Sequence, residues 1–241
     1  MTASPAEIVR TLSPGHRPAH VHTAGNETVW TVPAGTGADG VPLLLTRDDG
    51  ALAQTLNGSD GDDTAVALHY RDEPPFPDAP SRGSGWICGW ARPIRADRSR
   101  AAALRFSDTN PLPELLDVGR GFTLWEGDVD EVRWERGDRV VEIPSADYAG
   151  AEPDPWYGME SDLLLDLYDH HHDVLDALRH RVRHVVTDAD EVLPVRIDRY
   201  GVTVRVGDAP ARHYLVRHRH AAANPEQLLC GMTGCRCRPH G

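Results

Sequence analysis

Short apolar segments dominate the chain between residues 19 and 134, and in most of them apolar and polar residues alternate. A period of two is typical of β-strands, and the Gly, Asp and Pro residues between the segments are typical of turns. We predict strands in six segments: AHVHT, ETVWTVPA, VPLLLT, TAVALHYR, GWICGWARPI and FTLWEGDVDEVRW. Strands interrupted by short helices in this way indicate a small β-barrel.

Helical signals occur at three places in the same part of the chain. SPAEIVRTL at 4–12 begins with Ser as N-cap, Pro at the first helical position and Glu completing a capping box. The segments at 50–57 and 97–106 are predicted helical inserts, the second with Asp97 as its N-cap. The Pro-rich segment DEPPFPDAP is predicted to be an ordinary surface loop.

A stretch rich in Pro and acidic residues at 149–157 separates this β-rich part from a more helical one. Such composition is typical of a linker, so we place one domain at 1–150 and a second at 157–241. The second domain is predicted to contain a helix over about 159–184, then strands in LPVRIDRY, VTVRVG and RHYLVRHRH, and a short helix that opens at 224–225. The expected fold class is α+β, with a barrel followed by a small α+β domain.

Composition and charge exclude several functions. The 241 residues carry a formal net charge of -12, whereas a nucleic-acid-binding face is basic, so we expect no nucleic-acid partner. All 25 basic residues are Arg, which excludes Schiff-base chemistry on lysine and the lysine of a phosphate-binding P-loop. No signal peptide or membrane span is recognisable, and the 4 cysteines do not form a secreted disulfide framework. We therefore expect a cytoplasmic protein with reduced thiols.

Common catalytic motifs receive little support. GTGADG at 35–40 fits the spacing of a dinucleotide-binding loop, but it leads into the predicted strand VPLLLT rather than into a helix. We interpret it as a hairpin loop. No G-x-S-x-G, H-E-x-x-H or EF-hand pattern occurs, so a serine hydrolase, a zincin and a calcium sensor have no direct support.

DLYDHHHDVLDALRHRVRH at 166–184 contains five histidines. Successive helical residues lie ~100° apart, so the three consecutive histidines at 170–172 cannot all face one ion. Apolar residues around them recur at spacings of three, four and seven, and His171 completes their stripe, so we expect His171 to face inward. Two roles stay open for its imidazole: a ligand, or a part-buried group that hydrogen-bonds to Asp198 or Asp173.

Histidines and cysteines elsewhere form further candidate ligand sets. They are His20 with His22, His218 with His220, and at the C-terminus Cys235, Cys237 and His240. The members of each histidine pair are two residues apart and therefore share one face of a strand. The C-terminal set has ligand types that suit zinc, although a frayed end with reducible thiols explains the same residues.

Three motifs of the second domain resemble a known family. DLYDHHHDVL resembles the helix motif H-M-N-x-D-H-A-D-x-L: His171 and Asp173 match it, whereas Asp166 replaces the first His and His170 the first Asp. IDRYG matches the strand-turn signature of that family, and NPEQL resembles the start of its closing helix. The second domain is therefore similar to the domain of unknown function 2470, found in HugZ-type haem-binding proteins and in glutamyl-tRNA-reductase-binding proteins.

The resemblance extends to the first domain, where LLDVGRG and DYAGAEPDP are similar to members with a pyridoxamine-phosphate-oxidase-like barrel. It implies a split β-barrel of the FMN-binding type, a homodimer and a haem cofactor. In HugZ-type relatives the iron ligand is a histidine near the C-terminus, and this chain has His213, His218, His220 and His240 in that region. Haem binding also needs an apolar slot for the macrocycle and cationic groups for its propionates. The candidates in this chain are His171, His218 and His220 for the iron, Arg217 and Arg219 for the propionates, Trp86, Trp90 and Trp125 for the slot, and Cys235, Cys237 and His240 as alternative ligands.

The function implied by the resemblance is haem binding, either in haem degradation by a HugZ-like haem oxygenase or in haem sensing or trafficking. Two further functions stay open. An FMN-dependent oxidoreductase of the pyridoxamine-phosphate-oxidase-like class would hold the flavin phosphate with Arg95, Arg98 and Arg100 near a helix start. A non-catalytic regulator would use the barrel for dimerisation and bind another protein.

Overall fold

The computed structural model describes residues 2–58, 63–187, 190–207 and 210–218. Within these ranges the chain forms two compact units. The barrel unit comprises Ser4–Asp72 and Gly83–Pro153; the C-terminal unit comprises Glu73–Arg82 and the described chain from Asp154 onward, together with residues 2–3. Both units combine helices with antiparallel sheet, so the predicted α+β class is confirmed. No helix in these ranges has the length and apolar character needed to cross a membrane.

One antiparallel sheet forms the barrel unit, with nine strands among the described residues. They are β1 (Ala19–Thr23), β2 (Trp30–Val32), β3 (Ala34–Thr36), β4 (Pro42–Arg47), β5 (Thr64–Arg71), β6 (Ser84–Pro93), β7 (Phe122–Gly127), β8 (Glu131–Arg136) and β9 (Arg139–Ile143). The strand order is β2-β1-β5-β6-β7-β4-β3, while β8 pairs with β6 and β9 with β8. Each of the six predicted segments contains at least one of these strands.

A bend at Pro33 nearly closes this sheet into a barrel. β2 and β3 are separated by this residue alone, yet β2 pairs with β1 at one end of the sheet and β3 pairs with β4 at the other. Proline lacks an N–H and interrupts a strand ladder, which explains the change of partner. The Leu45 N–H donates to the Pro33 carbonyl oxygen at 3.1 Å, so the bent segment connects both ends of the sheet.

The predicted strand FTLWEGDVDEVRW is wrong in one respect, because it is a hairpin of two strands, β7 and β8. Both strands pair with β6, β8 along its first half and β7 along its last residues. The turn between them crosses β6 at Gly89, where a β-carbon would lie 1.9 Å from the Asp128 carbonyl oxygen. Because glycine has no β-carbon, Gly89 permits β6 to pair with both β7 and β8.

The helices of the barrel unit are α1 (Pro5–Leu12), α2 (Ala51–Asn57), α3 (Ala96–Ser107) and α4 (Ser145–Gly150). The predicted capping box of α1 is confirmed: the Glu7 N–H donates to Ser4 Oγ at 3.2 Å and the Ser4 N–H to Glu7 Oε2 at 2.7 Å. The predicted N-cap of α3 is wrong. Arg95 occupies that position without a side-chain hydrogen bond, and Asp97 lies inside the first turn.

In the C-terminal unit, helices α5 (Glu160–His170) and α6 (His172–Arg181) accompany the sheet β10-β11-β12 (Val192–Asp198, Gly201–Val206, Arg212–Arg217). Leucines and valines of the helices and the sheet form one buried core. The prediction of one continuous helix over about 159–184 is wrong, because the helix breaks at His171 and α6 ends at Arg181.

The segment Glu73–Arg82 is not the ordinary surface loop that its Pro-rich sequence predicted. It leaves the barrel unit after β5 and returns before β6, where the Asp72 N–H donates to the Gly83 carbonyl oxygen at 3.0 Å. Between these points Phe76 packs against the core of the C-terminal unit, with its ring centroid 6.1 Å from that of Tyr168. The segment is thus part of that unit's core.

Candidate functional site

His171 lies at the break between the two helices of the C-terminal unit. It is the C-cap of α5 and the N-cap of α6, with φ -124° and ψ 56°, outside the helical region. Its side chain is 31% exposed, and its Nε2 lies 3.2 Å from Asp166 Oδ2. His171 is therefore part-buried, which agrees with the second of its two open roles, a part-buried group with a carboxylate partner. Its carboxylate partner is Asp166 rather than Asp198 or Asp173.

His218 has a different environment at the end of β12. Its backbone N–H donates to the Tyr200 carbonyl oxygen at 2.8 Å, which continues the sheet by one residue. Both imidazole nitrogens are buried, and neither has a hydrogen-bond partner among the described residues. Burial and then the nearby Arg181 cation lower the pKa of His218 from 6.5 to about 4. The imidazole is therefore uncharged at neutral pH, with a nitrogen lone pair available to a ligand.

The other predicted residues near His218 are exposed or fall outside the described ranges. The side chains of Arg217 and His213 are exposed on β12, and the Arg217 carbonyl oxygen accepts a hydrogen bond from the Arg181 guanidinium. Five predicted site residues lie outside the described residues: Arg219, His220, Cys235, Cys237 and His240. Among the described residues, no group of three or more His, Cys, Asp or Glu side chains is arranged to hold a metal ion.

The structure does not bring His171 and His218 together. His171 precedes α6, whereas Arg181, which contacts the end of β12 beside His218, is the last residue of that helix. The 10 residues of α6, at ~1.5 Å each, span about 15 Å. The two histidines therefore lie toward opposite ends of α6 and do not form one ligand set.

A second group of histidines lies on the outer face of the barrel. Strand pairing aligns His20 of β1, His69 of β5, Trp86 of β6 and Arg133 of β8 in one row. The His69 ring stacks on Trp86 with centroids 4.0 Å apart and an interplanar angle of 7°. His22 completes the group, with its ring centroid 5.2 Å from that of Trp86.

His69 in this row is nearly buried, at 9% exposure, although it lies on the outer side of the sheet. Burial and then the Arg71 cation lower the pKa of His69 to about 4, so this imidazole is uncharged at neutral pH. His20 is tied to the sheet through its Nδ1, which lies 3.1 Å from Thr31 Oγ1. His69 and Trp86 therefore present a pair of uncharged, stacked rings, which suits contacts with other flat or apolar groups better than ion pairing.

Sequence reasoning identified the pair His20 and His22 and proposed Trp86 for the haem slot, but it missed His69. Alternation in TAVALHYR places His69 on the face opposite Leu68, and this signal was available. Its contact with Trp86, however, depends on the register between β5 and β6, which alternation does not define. The structure also separates Trp125 from the other two predicted slot tryptophans on β6, because Trp125 is 1% exposed inside the barrel whereas Trp90 is 47% exposed outside it.

The arginines proposed for a flavin phosphate lie at the start of α3 and are exposed. Arg95 Nε is 3.3 Å from Asp97 Oδ1, and Arg98 Nη2 is 3.4 Å from Glu126 Oε1. Carboxylates therefore neutralise two of the three cations. Arg100 is exposed on the same helix.

Comparison with known proteins was made by sequence and by structure. No protein-family model and no curated protein matches the sequence. Solved structures do match: that of a haem-binding protein from Mycobacterium smegmatis is 23% identical, covers 97% of this chain and 96% of its own, and has a TM-score of 0.66. The protein Atu2129 of unknown function from Agrobacterium tumefaciens is 16% identical, with coverages of 95% and 94% and a TM-score of 0.45. ChuZ from Campylobacter jejuni is 11% identical, with coverages of 57% and 59% and a TM-score of 0.40.

The similarity to the Mycobacterium smegmatis protein extends over nearly the full length of both chains. At this level of identity it establishes a shared fold, and the lower TM-scores of the other two structures add nothing to it. The fold predicted from the sequence, a split β-barrel followed by a small α+β domain, is therefore confirmed as the fold of this chain.

Proposed function

We propose that this chain binds haem and that His218 is a ligand of the haem iron. The observation that carries the proposal is the state of the His218 imidazole: its nitrogens are buried and have no hydrogen-bond partner among the described residues. Buried polar atoms in folded proteins are nearly always hydrogen-bonded, so an unpartnered imidazole calls for a ligand. An iron ion accepts the lone pair of a neutral imidazole, which is the form that the lowered pKa of His218 favours.

The arginines near His218 carry the positive charge that the haem propionates require. Arg181 lies close enough to lower the pKa of His218, and the exposed Arg217 precedes it in the chain. Guanidinium groups bind carboxylates through paired hydrogen bonds, so these arginines are suited to the two haem propionates. The full-length match in fold to a haem-binding protein supports the same cofactor.

His171 is the weaker ligand candidate. Its Nε2 already contacts Asp166 Oδ2 at 3.2 Å, and ligation through that atom would break this contact. His220 and Arg219 stay predictions in the same proposal, as do Cys235, Cys237 and His240 as alternative ligands. Because His171 and His218 lie toward opposite ends of α6, we assign the iron to His218 and its C-terminal neighbours.

Bound haem supplies an iron centre that can bind dioxygen. This chain would contribute the His218 imidazole as a ligand of the iron and the guanidinium groups of Arg181 and Arg217 for the propionates. A HugZ-like haem oxygenase would consume bound haem when ascorbate supplies electrons, whereas a sensing or trafficking protein would release it intact. Loss of the Soret band with release of iron, measured under ascorbate, separates these two functions.

The test is a haemin titration of the purified full-length apo-protein, followed at the Soret band. The wild-type protein is expected to saturate at a fixed ratio of haem to chain, with a Soret band sharper than that of free haemin and shifted from it. His218→Ala is expected to weaken binding at least tenfold and to change the spectrum, because it removes the iron ligand. His213→Ala is the matched control, since His213 lies exposed on the same strand.

Unchanged affinity and spectrum in His218→Ala would refute the assignment of the ligand. Equal loss in His218→Ala and His213→Ala would point to damage to β12 rather than to ligation. A protein that does not saturate with haemin refutes haem binding itself. Flavin absorption bands in the purified protein would then favour the FMN-dependent oxidoreductase, and a stoichiometric protein partner without cofactor would favour the dimeric regulator.

A further inference from the structure

A cavity of about 430 Å³ lies in the barrel unit, between the ends of α1 and α3 and the hairpin that joins β3 to β4. Arg10 and Arg105 line it from the two helices, and Asp39 from the hairpin lies among its walls. The cavity contains none of the histidines considered above. Its volume is within the range of small-molecule sites.

Arg10 is buried at 2% exposure, and its contacts neutralise none of its charge. Its Nε donates to the Ala151 carbonyl oxygen at 3.1 Å, and its Nη2 to the Ala38 carbonyl oxygen at 2.7 Å. Its Nη1 donates to the Gly37 carbonyl oxygen at 3.3 Å and to Thr36 Oγ1 at 3.4 Å. None of these acceptors is a carboxylate.

The Arg10 guanidinium also lies over the Tyr148 ring, 5.3 Å from the centroid. This contact attracts the cation but supplies no negative charge. Burying a cation without a counter-ion is costly, so a buried arginine normally pairs with an acid. Among the described residues Arg10 has no such partner. A bound anion would complete its environment.

Arg105 brings a second incompletely paired guanidinium to the same cavity. Its Nη1 is 3.7 Å from Asp39 Oδ2 and its Nη2 is 3.6 Å from Glu126 Oε1, both longer than a hydrogen bond. Its Nε and Nη2 are buried atoms without a hydrogen-bond acceptor in the described parts of the chain. Glu126 is also shared with Arg98, at 3.4 Å, and with Arg92, at 4.0 Å, so its charge is divided among three cations.

We infer that this cavity binds a small organic acid through its carboxylate, with Arg10 and Arg105 as the cationic groups. A planar carboxylate accepts two parallel hydrogen bonds from a guanidinium, and one negative charge matches the uncompensated charge of Arg10. Asp39 and Asp108 also line the cavity and repel multiply charged anions such as inorganic phosphate. Pro14, Ala38 and Pro153 supply apolar walls for the body of the ligand.

The test is calorimetric titration of the full-length protein with three probes: benzoate, its uncharged isostere benzamide, and inorganic phosphate. Benzoate is expected to bind saturably, and the other two to bind at least tenfold more weakly. Arg105→Gln is expected to weaken benzoate binding by about tenfold or more, because charge-assisted hydrogen bonds are lost. Arg105 is the residue to change first, since it is half-buried and its loss disturbs the fold less than loss of Arg10.

Arg100→Gln is the matched control, because Arg100 is exposed on the same helix and does not line the cavity. Circular dichroism melting verifies that both variants fold. If Arg105→Gln does not fold, Arg105→Met is titrated with benzoate instead, and the same loss of benzoate affinity is expected. Equal binding of benzoate and benzamide, or equal benzoate affinity in Arg105→Gln and wild type, would overturn the inference. Phosphate binding as tight as that of benzoate would overturn the assignment to an organic acid.

Discussion

Glu160 forms a buried ion pair with two arginines in the C-terminal unit. Its replacement by Gln tests how much this ion pair stabilises the unit. The Glu160 carboxylate accepts five hydrogen bonds: two from Arg82, two from Arg196 and one from the Ile197 N–H, at 2.8 to 3.2 Å. The Glu160 and Arg196 side chains are each 4% exposed and that of Arg82 is 14% exposed. The group therefore joins α5, β10 and the segment Glu73–Arg82 out of contact with water.

Glu160→Gln keeps the shape of the side chain but removes its charge and converts one acceptor oxygen into a donor. Two buried guanidinium groups then lose the carboxylate that they share, and an amide N–H faces their N–H groups. Removing one partner of a buried ion pair costs about 3–5 kcal/mol. We expect a loss of this size in the free energy of unfolding of the C-terminal unit.

Native-state hydrogen exchange of the β11 amides, such as those of Val202 and Val204, measures this free energy for the C-terminal unit alone. The expected loss accelerates their exchange by about a hundredfold to several thousandfold. Asp162→Asn is the control, because Asp162 is exposed on α5, and its effect is expected to stay within about 0.5 kcal/mol. A loss below about 1 kcal/mol in Glu160→Gln would refute the view that this carboxylate holds the unit together.

Three further predictions concern the barrel unit. Ser4→Ala removes the N-cap of α1 and is expected to cost about 1 kcal/mol in chemical denaturation, and no change in the midpoint would contradict the observed cap. Gly89→Ala forces a methyl group against the Asp128 carbonyl oxygen and is expected to cost about 1–3 kcal/mol or more, whereas Gly150→Ala, with open space around it, should be nearly neutral. The pKa of His69 is about 4 in the folded protein and 6.5 in the unfolded chain. Between these pH values the unfolded chain binds more protons, so the free energy of unfolding falls as the pH is lowered through this range. As the pH is lowered through this range, the melting temperature of His69→Gln is expected to fall less steeply than that of the wild type. An NMR titration that gives His69 a pKa near 6.5 would refute protonation of His69 as the cause.

Local signals in the sequence were sufficient for much of the secondary structure. β1 and β5 have the predicted bounds, and the capping box of α1 forms as its Ser, Pro and Glu residues indicate. Alternation and capping depend on neighbours within a few residues, so one sequence contains the information that they need. The family resemblance added the type of barrel, a split β-barrel, which periodicity does not supply.

Breaks within apparently continuous patterns were not recognisable. The histidine helix has an apolar stripe that only His171 interrupts, and the helix breaks at this residue, where tertiary contacts place α5 and α6 separately against the sheet. FTLWEGDVDEVRW alternates through its turn, and the hairpin becomes visible only through pairing of both arms with β6. The periodicity of apolar residues shows which face of a helix or strand is buried. It contains little information on where the chain changes direction.

The sequence by itself determined the class of fold, most of the strands and the candidate histidines of the C-terminal unit. Only the tertiary structure decided which imidazole is buried without a partner among the described residues, because His213 lies on β12, His218 directly follows that strand, and the sequence does not show what surrounds each of them. The stacking of His69 on Trp86 and the two guanidinium groups at one cavity likewise join residues far apart in the chain. Such contacts depend on strand register and on how elements pack, which are properties of the whole folded unit.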